Sequence, residues 1–235
     1  MKPNETLLNT QLLDTFSVDE IGDDHIGTSS ETPLREDAFL LSDDEKMEKI
    51  QHHFKAIMET LGLDLTDDSL RGTPQRVAKM YVKEIFSGLN PANKPDVKLF
   101  DNKYKYNEML VEKDITFFSN CEHHFVPIIG TAHVAYISNG KVIGLSKINR
   151  IVQYYAKRPQ VQERLTVQIA NELRTSLQTD DIAVVIDAAH LCVSSRGIQD
   201  VNSRTVTSQF YGKFQEDSVK QEFFKYLDLS HNETK

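Results

Sequence analysis

The chain has only two cysteines among its 235 residues. That is too few for a disulfide scaffold and reads as a metal-binding or catalytic pair, the alternative being two inert buried thiols. No apolar run approaches the roughly 18–20 residues of a membrane span, so no membrane partner is expected. The opening MKPNETLLNTQLLD lacks a basic stretch followed by an apolar one. No secretory leader is expected, and the location expected is cytoplasmic. A G-x-x-x-x-G-K-[ST] phosphate loop is also missing; Asn139-Gly140-Lys141 is a hairpin sequence instead. There is no internal repeat and no low-complexity tract.

Apolar content of 39% and charged content of 26% fit a globular protein with a real core. The net charge of −8 is unevenly spread, because residues 1–45 hold twelve acids and two bases, leaving the rest near +2. The balance argues against nucleic acid as a partner. Residues 1–42 read as an acidic extension with small apolar patches at Leu7-Leu8, Leu12-Leu13 and Phe39-Leu40-Leu41, either partly disordered or docked as a short helix. Residues 43–95 read as a helical region and residues 96–235 as the main domain.

Met47, Ile50, Phe54, Ile57, Met58 and Leu61 recur at helical spacing from about Asp43 and stop at Gly62. Thr73-Pro74 reads as an N-cap followed by proline at the first helical position, opening a helix with Val77, Tyr81 and Ile85 on one stripe. The period then changes. Met109–Phe118, Thr131–Ser138 and Lys141–Ile143 read as strands, with Asn139-Gly140 as a two-residue hairpin between the last two. Helices are expected over Ser146–Lys157 and Val161–Gln178, the second striped by Val161, Leu165, Ile169, Leu173 and Leu177. Ile182–Ser194 and Val201–Phe210 read as strands and Glu216–Leu227 as a last helix. Hairpin-linked strands with segregated helices imply an α+β fold with an antiparallel sheet.

The fragments Cys121-Glu-His-His124 and His190-Leu-Cys192 hold both cysteines and three of the eight histidines. Cys121 and His124 are three apart, so one turn can aim both at a point. His190 and Cys192 are two apart and on a strand would share a face. Thiolate with imidazole favours zinc. Cys121, His124 and Cys192 as ligands would leave a fourth position open for water, as in a catalytic zinc site. His123 and His190 would then stand beside the metal as proton carriers. If His190 is instead a fourth ligand, the site is closed and structural.

Lys141, Lys147, Arg150, Lys157 and Arg158 fall between Lys141 and Gln162 with no acid among them. Lys147 and Arg150 share a helix face, with Ser146 as a natural N-cap. Such a helix start suits an anion such as phosphate, and a solvated face is the plain alternative. Arg196 and Arg76 are further candidates. Glu163, in the first turn of its helix, reads either as a carboxylate favoured by the helix dipole or as a purine reader, since guanine offers an N–H beside an NH₂.

C121-E-H-H-F125, V142-I-G-L-S-K-I-N-R-I151, R158-P-Q-V-Q-E-R-L165, H190-L-C-V193 with R196-G-I198, T73-P-Q-R-V-A-K-M-Y81 and E84-I-F-S-G-L89 together resemble the GTP cyclohydrolase I family. The resemblance is dense from about Leu63 to Asp200. It implies a tunnelling fold (T-fold), an antiparallel sheet with helices on one side preceded by N-terminal helices, so that residues 96–235 would be the catalytic domain. It also implies a homodecamer of two pentamers with active sites at subunit interfaces, and conversion of GTP and water to formate and 7,8-dihydroneopterin triphosphate, the entry to folate-type pterins. Carried over by position, Cys121, His124 and Cys192 would bind Zn2+. His123 would be a general acid, His190 a second proton carrier, and Ser146 a group near the ribose and phosphate. Gln162 and Glu163 would hold the guanine edge. Lys147, Arg150 and Arg196 would grip the triphosphate, with Arg76 reaching a neighbouring site.

Overall fold

The computed structural model describes residues 27–229. The apolar patches at Leu7-Leu8 and Leu12-Leu13 lie outside them. The chain divides into two compact units, Met1–Ser30 and Glu31–Lys235, and all the elements below belong to the second. Helix α1 (Asp43–Thr60) opens on a capping box: the Ser42 hydroxyl accepts from the Glu45 amide at 3.3 Å, and the Glu45 carboxylate accepts from the Ser42 amide at 2.8 Å. Gly62 leaves the helix at φ +81°, a left-handed conformation that favours glycine. Helix α2 (Thr73–Met80) has Gly72, not Thr73, as N-cap. Pro74 thus lies at the second helical position, where its missing N–H costs nothing. The helix runs on as a π-helical turn over Tyr81–Ile85.

Strands β1 (Leu99–Asp101), β2 (Met109–Cys121), β3 (Pro127–Ile137) and β4 (Lys141–Ile143) follow, then α3 (Leu145–Ala156), β5 (Pro159–Gln160), α4 (Gln162–Leu177), β6 (Ile182–His190), the short α5 (Leu191–Ser194), β7 (Thr205–Phe210) and α6 (Asp217–Asp228). Five strands form one sheet in the order β5-β2-β3-β6-β7, antiparallel except for β5 beside β2. The fold class is therefore α+β. The Asn139-Gly140 turn forms, with Gly140 at φ +81°, but β4 pairs with β1 rather than folding back on β3. Alternation cannot distinguish one antiparallel partner from another.

Leu165, Ile169, Leu173 and Leu177 of α4 are fully buried against the face that carries Phe117, Val134, Val184 and Ile186. Each such side chain contributes about 1.5–3 kcal/mol by leaving water. Ile148, Ile151 and Val152 of α3 join the same core. The expected one-sided helical layer holds for α3 and α4 but not for α6. Phe223 of α6 and Phe214 pack on Ala183 and Val185, which the period of two turns to the other face. Among the described residues, β5 pairs with β2 only at Asn120 and Cys121, and β7 is the opposite edge.

Candidate metal centre

Strand β3 sits between β2 and β6, and its start is where both cysteine fragments end. Asn120 pairs with Pro127, and Ile128 pairs with His190. Whatever follows β2 and β6 therefore meets at one end of the sheet. The loop after Cys121 is tightly closed: the Cys121 amide donates to the Val126 carbonyl and the Phe125 amide to the Cys121 carbonyl, both at 2.9 Å. The Asn120 side-chain amide caps the Phe125 carbonyl at 3.1 Å. Phe125 adopts φ +55°, and its ring packs 5.0 Å from that of Phe86.

On the other side, Cys192 does not lie on a strand. Strand β6 stops at His190 and the chain turns helical over Leu191–Ser194. The same-face argument for His190 and Cys192 therefore fails. The helical turn, closed by the Ser195 amide on the Leu191 carbonyl at 2.9 Å, is what points Cys192 back across the sheet end. An apolar run continuing past the strand hides that change of period.

The result is that ligand atoms of Cys121, His124 and Cys192 all lie within 4.8 Å of one another. Cys121 is buried and Cys192 half-buried, and neither is in a disulfide. Burial, then the neighbouring Cys121 sulfur, pushes the Cys192 thiol up. Two thiols in contact cannot readily both ionise until a cation shares the space, so the donor set fits a thiophilic divalent metal. Burial, then the Arg196 guanidinium and His123, lowers His124. These effects favour the neutral imidazole, the form in which histidine binds a metal. The Arg196 guanidinium stands 2.9 Å from His124 Nε2.

His190 is outside the ligand group. Its Nε2 meets Gln162 Oε1 at 2.7 Å, so the three-ligand arrangement is the one the geometry supports. Burial lowers His190 while the Glu163 carboxylate opposes that shift. Glu163 is exposed, and its charge is felt at His190. Gln162 is buried, and its amide nitrogen donates to the Ile186 and Thr205 carbonyls at 3.2 and 2.9 Å. It locks α4 onto β6 and β7 while holding His190. His123, exposed, has its Nδ1 3.7 Å from the Cys121 sulfur.

Apart from Arg196, the cationic residues fall elsewhere. Gln153 of α3 donates to the Thr116 carbonyl at 2.6 Å, while Pro159 pairs with Asn120, so α3 runs alongside β2 toward the metal end. Helical and strand rises then put Ser146 roughly 25 Å from Cys121 in the same copy. Ser146 is not the N-cap; Gly144 is, and Ser146 sits exposed in the first turn. Lys147 donates to the Asp96 carbonyl at 2.6 Å. Exposed Arg150 lines a cleft of about 340 Å³ with Lys157, Tyr154 and Asn93. Arg76 folds back on its own helix start, donating to the Ser69 carbonyl and the Thr73 hydroxyl.

Two site residues escape the sequence reading. Arg164, with its side chain 2% exposed, makes a two-pronged ion pair with Glu122, between Cys121 and His123. The available signal was an arginine placed directly before Leu165 of the buried stripe, where a charge needs a partner.

The sequence profile of the GTP cyclohydrolase I family matches residues 50–228. The GTP cyclohydrolase 1 of Flavobacterium johnsoniae is 65% identical over 212 residues, covering 90% of this chain and 95% of the relative. Those of Aeromonas salmonicida and Vibrio cholerae are 59% and 56% identical, covering 78% and 84% of this chain and 84% and 90% of the relatives. With a Cys-His-Cys group assembled at the end of an antiparallel sheet and this breadth of similarity, the chain belongs to the GTP cyclohydrolase I family and is an enzyme of that kind.

Proposed function

We propose that this chain is a zinc-dependent GTP cyclohydrolase I that converts GTP and water to formate and 7,8-dihydroneopterin triphosphate, the first step toward tetrahydrofolate-type pterins in the cytoplasm. The observation that carries it is the three-ligand group of Cys121, His124 and Cys192, with His123 and His190 beside it as proton carriers. Two free cysteines support a reducing compartment. Among the described residues no helix is long and apolar enough to cross a membrane.

Cys121, His124 and Cys192 would hold the zinc, which when bound supplies Lewis acidity toward water. Glu163 accepts from the N–H and NH₂ of guanine. His123 donates a proton to the opening imidazole ring of the purine, and His190, held by Gln162, carries a second. Water adds at C8 and opens the five-membered ring to a formamide, and a second water releases C8 as formate. The sugar then rearranges, and the pterin ring closes with loss of water. Ser146 stands by the ribose and phosphate during that rearrangement. Lys147, Arg150 and Arg196 grip the triphosphate and Arg76 reaches a neighbouring site.

The reading includes a homo-oligomer, a decamer with the tunnelling fold in residues 96–235, the helical region 43–95 and the acidic extension 1–42. What supports shared sites is the separation along α3: Ser146 and Lys147 lie far from Cys121 within one copy. The β7 edge, and the stretch of β2 before Asn120 that β5 leaves unpaired among the described residues, support sheet continuation between copies. Zinc-loaded protein given GTP should release formate and yield a fluorescent pterin after oxidation. Intact GTP with zinc bound would overturn the reading in favour of a zinc-stabilised binding protein.

A further inference from the structure

We propose that Glu122 and Arg164 are positioning residues that hold the metal loop in register with the helix that reads the guanine edge. The inference rests on the zinc-dependent reading above. Arg164 is nearly sealed from solvent and Glu122 mostly so, at 2% and 22% side-chain exposure. Both terminal guanidinium nitrogens meet the carboxylate, Nη2 at 3.2 Å and Nη1 closer. The Glu122 amide also donates to the Gln160 carbonyl at 3.0 Å. The loop is thus tied twice to the few residues that open α4, once by backbone and once by a charged fork.

Those same residues bear on the other working parts. Gln162 holds His190 at 2.7 Å. Glu163 immediately precedes Arg164, and Leu165 immediately after it is fully buried, which anchors the turn. Glu122 itself lies between the ligand Cys121 and the proton carrier His123, and its Oε1 is 3.9 Å from His123 Nε2. One helical turn therefore fixes the metal loop, His190 and the guanine reader relative to one another. A buried ion pair adds little net stability over an apolar contact. What it adds is a planar bidentate geometry that a lysine cannot reproduce. Its effect is expected in the distance between metal and guanine subsites, where a misplacement of about 1 Å can cost ~100-fold in rate.

The test compares wild type with Glu122→Gln, Arg164→Ala, Arg164→Lys and the double variant Glu122→Gln/Arg164→Ala, each loaded with zinc and checked for folding by circular dichroism. Zinc loss to EDTA should be about 10–100-fold faster in Glu122→Gln and Arg164→Ala. For the same two variants kcat should fall by about 10–100-fold while KM for GTP stays within about threefold. Arg164→Lys should lie between these and wild type. The double variant should be no worse than the worse single one, because one contact is lost in all three. A folded, zinc-loaded Arg164→Ala with wild-type release rate and kcat would overturn the proposal, as would a double variant whose losses multiply. If Arg164→Ala does not fold, Arg164→Lys and Glu122→Gln decide by the same measures. Should wild type release no formate, the functional reading fails, and the zinc-release comparison still decides the ion pair.

Discussion

At the metal end of the sheet, three ligand atoms converge within 4.8 Å in a single copy, braced by the buried Gln162 and Arg164. In the first two turns of α3, Ser146 and Arg150 face solvent and Lys147 bonds a backbone carbonyl. The metal end is finished by intrachain packing, whereas at the cationic end Arg150 lines an open cleft with Lys157 and Ser146 faces solvent. A metal site needs ligands held to fractions of an ångström before the ion arrives. A triphosphate can be gripped by flexible cations that a second copy completes.

The largest effect expected from breaking the metal end comes from Cys192→Ser. Elemental analysis should find zinc at less than about a tenth of stoichiometry, since hydroxyl is a far poorer zinc ligand than thiolate, and formate release should fall to background. Thermal unfolding of the apo forms of both proteins should be nearly the same, because Cys192 is only half-buried. Stoichiometric zinc in Cys192→Ser would remove it from the ligand set.

The next effect sharpens the contrast between the ends. Arg150→Ala should keep its zinc and raise KM for GTP by about 10-fold or more, as loss of a phosphate contact does. Co-expressed with Cys192→Ser under distinct tags and assayed at GTP well below KM, it should recover about a quarter of wild-type activity. Random pairing at a heterologous contact leaves that share of sites with both ends intact. A mixed oligomer no better than its parents would show that one copy supplies both ends.

These ends were not equally legible in the sequence. Cys121 and His124 were readable because a three-residue spacing survives any tight turn. Cys192 was readable as a ligand but not as a helical one, since Leu191 and Val193 continue the apolar pattern of β6 and conceal the break after His190. The stripe of α4 was legible to its last leucine because burial on one helix face leaves a period. The β1–β4 pairing was not, because a short strand of three residues carries no mark of its partner. The reach of α3 away from the metal depends on its alignment with β2, set by Gln153 on the Thr116 carbonyl, and no local pattern encodes a contact 37 residues long in sequence.

The smallest expected effect comes from a place belonging to neither end. Glu172 of α4 accepts from the Tyr155 hydroxyl at 2.8 Å and the Ser176 hydroxyl at 2.9 Å, and pairs with Lys94 at 2.7 Å. Burial alone would raise its carboxyl, but Lys94, Tyr155 and Ser176 outweigh it and hold the carboxyl below its ordinary value of 4.5. A folded value below the unfolded one means stability that is present above the unfolded value and lost as pH falls through the folded one. Wild type should therefore lose melting temperature on acidification below about pH 4.5 in part through this residue. Glu172→Gln should lower the melting temperature at pH 7 by about 2–4 °C and flatten that acid slope. Zinc content and KM for GTP should not move, because the network ties Lys94 and α3 to α4 without touching either end of the site. If Glu172→Gln changes zinc retention while leaving the acid slope intact, the network serves the metal end, and the separation between the packed core and the site is drawn in the wrong place.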